Sequence, residues 1–484
     1  MAGNQQTKDK LQKDKLPKGI APIALIMVLG ALPPMLDTTI VNVAVNSLAR
    51  IFDTSLPVVQ WAVTGYVLAL GIAVPFSGWL LRRMDGKKIF MGSLAAFLLG
   101  SLLAGFSWDI GSLIVFRLLQ GLSAGILIPT LTTLIIQLAG SGNFGKLMSI
   151  VGIPAVFGPI IGPVAGGLIM QYLPWNWLFF VNLPIGAAGL ALLQWKLPKF
   201  EASDKSAKLD WPGVMLLAAT SGALIYGVTR VAHADTHAAG IAFLSAGTTA
   251  LIAYVFYAFL RKDKALVSLA LFRSRNFSAA FLSLFLAGFA TNGPMLLLPL
   301  FFQNVLGLSV FASALWLVPQ GIGMLVTRQI VGRLTDRIGA RFVALPAILL
   351  TIAGTMPFVF FGPQTSQWLV WAVLLVRGAG VGGFTVPVMA DAYVGLAKPQ
   401  VPAASVATRI IQNIGSAFGS ATLATVVSSV LAKQVAGTAE AYHAGFIASV
   451  IFMAVSTVPA MFLTNNINNM RKHRKRIDTA AYKH

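Results

Sequence analysis

Residues 20–46 read IAPIALIMVLGALPPMLDTTIVNVAVN, 27 residues with one charged side chain, Asp37. A helix that crosses a bilayer needs about 20 mainly apolar residues, so this run is long enough to span one. It is also too long for the apolar core of a cleavable signal, which runs about 7–15 residues. Lys8, Lys10, Lys13, Lys15 and Lys18 precede it. Residues 1–19 therefore read as a basic cytoplasmic tail feeding straight into a first spanning helix.

The same pattern continues outward along the chain. Further apolar runs lie near residues 57–80, 88–106, 110–138, 147–171 and 177–196. A polar break at 198–211 separates these from runs near 212–230 and 239–260. Six more follow, near 276–304, 309–331, 341–361, 367–393, 402–432 and 444–465. The sum is about fourteen spans in an all-α integral membrane protein. Composition agrees: of 484 residues, 56% are hydrophobic and 11% charged, against about a quarter charged in soluble domains.

The net charge of +21 suggests a nucleic-acid partner until its placement is considered. The basic residues form no face; they cluster in short loops, as in Arg82, Arg83, Lys87, Lys88, then Lys196, Lys199, Lys205, Lys208, then Arg261, Lys262, Lys264, Arg273, Arg275. Loops of the other parity hold little beyond Arg50, Arg230 and Lys433. By the positive-inside rule both termini face the cytoplasm, and the expected location is the cytoplasmic membrane of a bacterium. The basic run Arg471 to Arg476 either binds anionic lipid or simply anchors the last helix. With no cysteine, disulfides and thiolate sites are excluded, and the five histidines read as loop or tail residues. No cofactor or metal site is expected, and an intramembrane enzyme lacks its nucleophile–base pair.

Three marks recur in order. A Gly-x-Leu-x-x-Arg loop begins at Gly78 and again at Gly332; an arginine precedes a glycine-rich helix at Arg117 and Arg377; a small-residue helix runs from Gly158 and, more weakly, from Gly415. The copies are spaced 254, 260 and 257 residues apart, as duplication of a six-helix unit requires. The expected division is a tail (1–19), an N-terminal six-helix half (20–197), a linker with two inserted helices (198–265), a C-terminal half (266–466) and a basic tail (467–484). Parallel six-helix halves with substrate at their midplane interface are one transporter architecture.

Asp37 lies about 17 residues into the first run, roughly 25 Å along it at 1.5 Å per residue. Carboxylates at membrane depth face a cavity and carry protons or ions, as a rule. Asp37 is read either so, or as a hydrogen-bond partner of Thr38, Thr39 or Asn42. Arg117 and Arg377 are read as the other charges inside apolar runs. Arginine stays protonated, so these residues bias a carboxylate or bond backbone carbonyls.

The chain resembles the major facilitator superfamily, and within it the fourteen-helix drug:proton antiporter branch of EmrB/QacA-type multidrug exporters. The resemblance rests on residues 36–44 (LDTTIVNVA), on Gln60-Trp61 with Thr64 and Tyr66, and on residues 175–186 (WNWLFFVNLPIG). It implies a major facilitator fold and proton-coupled export of hydrophobic neutral or monocationic compounds by alternating access. The alternative is a dedicated carrier of a lipid, antibiotic or metabolite. The resemblance assigns proton coupling to Asp37 and Arg117. Antiport is implied by the motif Gly158, Pro159, Gly162, Pro163, Gly166, Gly167, although small residues also serve plain helix packing. Gln60, Trp61, Tyr66, Asn182 and Arg377 are expected at the substrate cavity, while Phe157 and Phe285 are read either as further wall residues or, more simply, as helix packing. The loop motif departs from the family at Gly78, Arg82, Asp85, Gly86, where Arg82 replaces an aspartate and Asp85 a glycine. Its second copy, Gly332, Asp336, Arg337, Gly339, is intact. The expected partners are a hydrophobic small molecule, protons and membrane lipids, with the chain working as a monomer. One deep carboxylate implies one proton per cycle, and Asp391 is the place for a second.

Overall fold

The computed structural model describes residues 20–139, 149, 153–202, 209–231, 236–432 and 437–465. Both tails, with the first five lysines and Arg471 to Arg476, lie outside the described residues, as do Lys205, Lys208 and Lys433. The described elements are helical throughout. In chain order they are α1 (Ile20–Ile51), α2 (Leu56–Arg83), α3 (Gly86–Gly105), α4 (Ile110–Ala139), α5 (Ile153–Tyr172) and α6 (Trp177–Phe180 continued by Asn182–Lys196). Then come α7 (Trp211–Val231) and α8 (His237–Arg261). The remaining six are α9 (Arg275–Asn304), α10 (Val310–Trp316 continued by Val318–Ile338), α11 (Ala340–Val359), α12 (Gln367–Asp391), α13 (Val401–Ala432) and α14 (Thr438–Ala460).

Each expected span falls on one of these helices. Twelve are long and apolar enough to cross a membrane. The other two are α5, which follows undescribed residues, and α10, which breaks at Leu317 and carries Arg328, Arg333, Asp336 and Arg337. Two histidines expected in loops lie in helices: His237 opens α8, and His443 sits in the second turn of α14, its Nε2 2.8 Å from the Phe361 carbonyl. Helix starts follow ordinary capping. Ser309 Oγ accepts from the Ala312 amide at 3.2 Å, and Asp85 from the Lys87 amide at 2.8 Å. Before α4, the Ser112 amide donates to Asp109 at 2.6 Å. Together with the Ser112 hydroxyl, that bond holds the exposed carboxyl below the usual carboxylate range.

The packing repeats with an offset of eight helices. α2 lies along α4 as α10 lies along α12; α1 pairs with α5 as α9 pairs with α13; α3 meets α4 as α11 meets α12. The glycines repeat with the helices. Gly121 and Gly125 of α4 face the carbonyls of Tyr66 and Leu70, and Gly378 and Gly382 of α12 face those of Gln320 and Met324. The two halves meet along two seams, α2 and α4 against α13, and α5 against α10. The inserted helix α7 lies on the first seam, touching both α2 and α13, and α8 packs on α7.

The glycine face of α5 brings it against α1 where Asp37 sits. A Cβ on Gly158 would stand 2.8 Å from the Met35 carbonyl oxygen, and one on Gly166 2.7 Å from that of Ile40. Backbone cannot retreat as a flexible side chain does. We expect Gly158→Ala to destabilise the protein by about 1–3 kcal/mol, the usual cost of overpacking, and to slow transport. Gly167, whose Cβ would meet nothing within 4 Å, is the control: Gly167→Ala should unfold in detergent at the wild-type temperature. Equal melting of the two variants would contradict the close-packing role.

Candidate functional site

Asp37 lies in mid-helix just after Pro33 and Pro34, which interrupt the α1 hydrogen-bond ladder. The Tyr66 hydroxyl uses one local carbonyl, donating to Pro34 at 3.0 Å. Thr39 Oγ1 donates to the carbonyls of Leu36 and Gly158 at 3.0 and 2.8 Å, tying α1 to α5. Asp37 itself is fully buried, and its side-chain partners belong to the N-terminal half.

There it forms an ion pair with Arg117 Nη1 of α4. Arg117 also donates from Nε to the Ala62 carbonyl at 3.0 Å and from Nη1 to Gln120 Oε1 at 3.0 Å. Its guanidinium lies over the Tyr66 ring, 4.2 Å from the centroid. The second Asp37 oxygen accepts from Asn182 Nδ2 at 3.2 Å. Ser101 closes the network, accepting from Asn182 at 3.2 Å and from Gln120 at 2.7 Å. Five helices, α1, α2, α3, α4 and α6, thus share one buried network around the Asp37–Arg117 pair. Removing one member of such a buried pair costs about 3–5 kcal/mol, because its partner stays charged and uncompensated.

The C-terminal half holds the same arrangement without the acid. Arg377 donates to Gln320 Oε1 at 2.6 Å and to Thr355 Oγ1 at 3.2 Å, and its Nη2 has no hydrogen-bond partner. Asp391 is far from it, at the end of α12, accepting from the Thr464 amide at 3.1 Å. That bond ties the end of α12 to the segment after α14, and Arg341 N, donating to the Thr464 carbonyl at 2.9 Å, ties the α10–α11 turn to the same segment. The first half mirrors it: Phe200 N donates to Asp85 at 3.0 Å, and Gly86 N to the Phe200 carbonyl at 3.2 Å. Gly339, at φ +100°, makes the second turn possible, in a conformation costly for other residues. The departure at Arg82 and Asp85 thus leaves the first loop anchored, through Asp85. Asp336 and Arg82 are both half-buried, Arg337 is exposed, and Gly78 and Gly332 are in helices. We expect Asp336→Asn to slow turnover more than Arg82→Ala; equal effects on transport rate would show the missing aspartate to be uninformative.

Between the halves lies a cavity of about 610 Å³. α1 contributes Met35, Thr38 and Thr39; α4 adds Ile128 and Thr132; α7 adds Ile225; α10 adds Gln320 and Arg328. α13 turns a polar stripe toward it, with Thr408, Arg409, Gln412, Asn413, Ser416 and Ser420. The five residues expected in this cavity are placed elsewhere. Gln60 is exposed near the start of α2, and Trp61 stacks on Tyr226 of α7 with centroids 5.8 Å apart. They sit too near the helix end; the α2 residues of the lining are Val67 and Leu70. Tyr66 and Asn182 belong to the Asp37 network, and Arg377 stands behind Gln320. Phe285 packs against Phe418 at 6.2 Å, and the Phe157 side chain lies outside the described residues, as do those of Pro159 and Pro163.

Arg117 and Arg377 are therefore not the only arginines inside apolar runs. Arg328 and Arg409 also lie within helices, and both reach the cavity. For Arg409 the signal was the sequence spacing 408, 412, 416 with 409, 413, which puts polar residues on one helix face. Ser101 and Gln120 were likewise missed; lone Ser and Gln residues in apolar helices announce nothing by themselves.

A duplicated bundle of membrane-length helices around a central cavity, with a buried ion pair beside it, is the architecture of a membrane transporter. The chain belongs to the Major Facilitator Superfamily, whose family model matches residues 27–420. It is 31% identical over 433 residues to a multidrug resistance protein B homolog of Mycobacterium tuberculosis, covering 88% of this chain and 80% of that one. It is also 31% identical over 367 residues to the putative multidrug resistance protein MdtD of Cronobacter sakazakii, covering 75% and 77%. Among solved structures, the proton:xylose symporter XylE matches with a TM-score of 0.64 at 15% identity, over 92% of this chain and 97% of its own. The human organic anion transporter MFSD10 gives 0.64 at 15% identity, over 92% and 100%. These two likenesses concern the fold alone.

Proposed function

We propose that this chain exports hydrophobic compounds in exchange for protons by alternating access. In this reading Asp37 carries the proton and Arg117 biases its release. The supporting observation is a matter of one residue: Thr38 lines the cavity, while Asp37 beside it is sealed in an ion pair with α4. Protonating Asp37 removes the attraction that holds α1 to Arg117. The same turn of α1 carries Met35, Thr38 and Thr39 of the cavity wall. Proton occupancy and cavity shape are thus linked through a single helix. The two names given to relatives, both multidrug resistance proteins, agree with a drug-like substrate.

The moving bodies in this proposal are residues 20–197 and 266–466, with 198–265 as the insert. The basic loops at Arg82–Lys88, Lys196–Lys199 and Arg261–Arg275 support an orientation with both termini in the cytoplasm of a bacterial cell. A cavity enclosed within one chain supports a working monomer. Of the expected substrates, neutral compounds suit the lining; a cation meets Arg328 and Arg409 there, with no carboxylate among the described lining residues.

The test is purified protein in proteoliposomes with an imposed pH gradient. We expect dye uptake that collapses with the gradient, together with counter-directed proton flux seen by a pH indicator. Uptake with no proton flux would overturn antiport.

A further inference from the structure

The two walls of the cavity differ in chemistry. The N-terminal half offers Pro34, Met35, Val67, Leu70 and Ile128, with threonine hydroxyls at its edges. The C-terminal half offers two guanidinium groups, Arg328 from α10 and Arg409 from α13. Arg328 Nη2 donates to Thr385 Oγ1 at 3.3 Å. Arg409 is less provided for: its Nε is enclosed without a hydrogen-bond partner, as is Nδ2 of Asn413 one turn further on. Both residues lie on the stripe of α13 that faces the cavity. A buried donor left unmade is costly, and a buried charge without a counter-charge more so. Asp37 does not supply a counter-charge to Arg409, being bound to Arg117 and Asn182. Nor does Asp391, whose described bond is to the Thr464 amide at the end of the bundle.

We propose that the cavity takes amphiphilic monoanions, an apolar body with one carboxylate or sulfonate, whose headgroup is held by Arg409 and Arg328 with Asn413 while the body lies on the α1–α2–α4 wall. This deepens the exporter reading and rests on it. A planar guanidinium fork matches a carboxylate in two-point geometry, where a lysine would give only a point charge. A cation in the same place would face two like charges at close range with little water to screen them.

The experiment compares three probes that share one apolar body: pyrenebutyrate, pyrenebutanol and a pyrenebutyl-trimethylammonium salt. Binding to the purified full-length protein in detergent is measured by fluorescence, and pH-driven uptake is measured in proteoliposomes. We expect the wild type to bind the anion at least tenfold more tightly than the cation, the worth of about one charge-assisted hydrogen bond. Arg409→Gln should lower affinity for the anion about tenfold and far less for the alcohol, and Arg409→Lys should restore part of the loss. Cation binding as tight as anion binding, or an Arg409→Gln loss equal for all three probes, would overturn the proposal. The wild-type comparison decides even if the variants fail to fold. pH-driven uptake of alcohol and cation without the anion would refute the anion site while leaving the exporter standing. Tight anion binding with no pH-driven uptake of any probe would refute the exporter reading and leave the site.

Discussion

Asp37→Asn should reduce pH-gradient-driven transport in proteoliposomes to the level of protein-free vesicles, with the protein still correctly inserted. The substitution keeps the shape and one acceptor oxygen, so Asn182 and Ser101 can hold their places. What it removes is the charge opposite Arg117 and the group that exchanges a proton. Stability should fall by about 3–5 kcal/mol, the cost of leaving one buried partner unpaired. Arg117→Gln in the same chain should recover much of that stability without recovering transport. A second readout separates coupling from collapse: exchange of labelled for unlabelled substrate needs no net proton movement and should survive in Asp37→Asn. Undiminished gradient-driven uptake would remove Asp37 from the mechanism; loss of exchange together with uptake would give it a structural part only.

An inside-negative potential, imposed without a pH gradient, should drive export in proportion to the charge moved. If one proton enters per cycle, export of a neutral compound carries one net positive charge inward. Export of a monoanion carries the equivalent of two, and export of a monocation none. Each charge crossing 100 mV is worth about 2.3 kcal/mol. The sustainable gradient at 100 mV is then about 45-fold for a neutral compound and about 2,000-fold for a monoanion. Potassium diffusion potentials with valinomycin, applied to the pyrene alcohol and acid, measure both slopes. A neutral probe that ignores the potential would refute one-proton exchange. A neutral slope of two charges that returns to one in Asp391→Asn would transfer the second proton to Asp391.

The fold could be read from the sequence because the bilayer imposes it. Backbone groups in hydrocarbon must bond within their own helix, so fourteen apolar runs become helices wherever they begin. The Asp37–Arg117 pair was legible for a related reason, since charges at that depth are few. The cavity was less so. Which residues face it depends on how the helices of each half pack, and that depends on glycine-to-carbonyl contacts such as Gly121 on Tyr66. Tyr66 and Asn182 instead meet the Asp37–Arg117 pair, and Trp61 stacks on Tyr226. Arg409 escaped notice because α13 is polar enough that one more polar residue did not stand out.

The position of α7 has a consequence for how a solute dissolved in the bilayer meets the protein. Duplication makes the α2–α13 junction and the α10–α5 junction mirror counterparts, two side doors of one chamber. The inserted pair breaks that equivalence. α7 lies across the first doorway, with Ile225 reaching the chamber, and a Cβ on Gly71 would stand 3.0 Å from the Ile225 tip. No inserted helix covers the second among the described residues. Among the described residues the protein is therefore handed: α7 bridges α2 and α13 at the first junction, so any opening there requires α7 to slide on one of them, a constraint the second junction does not share.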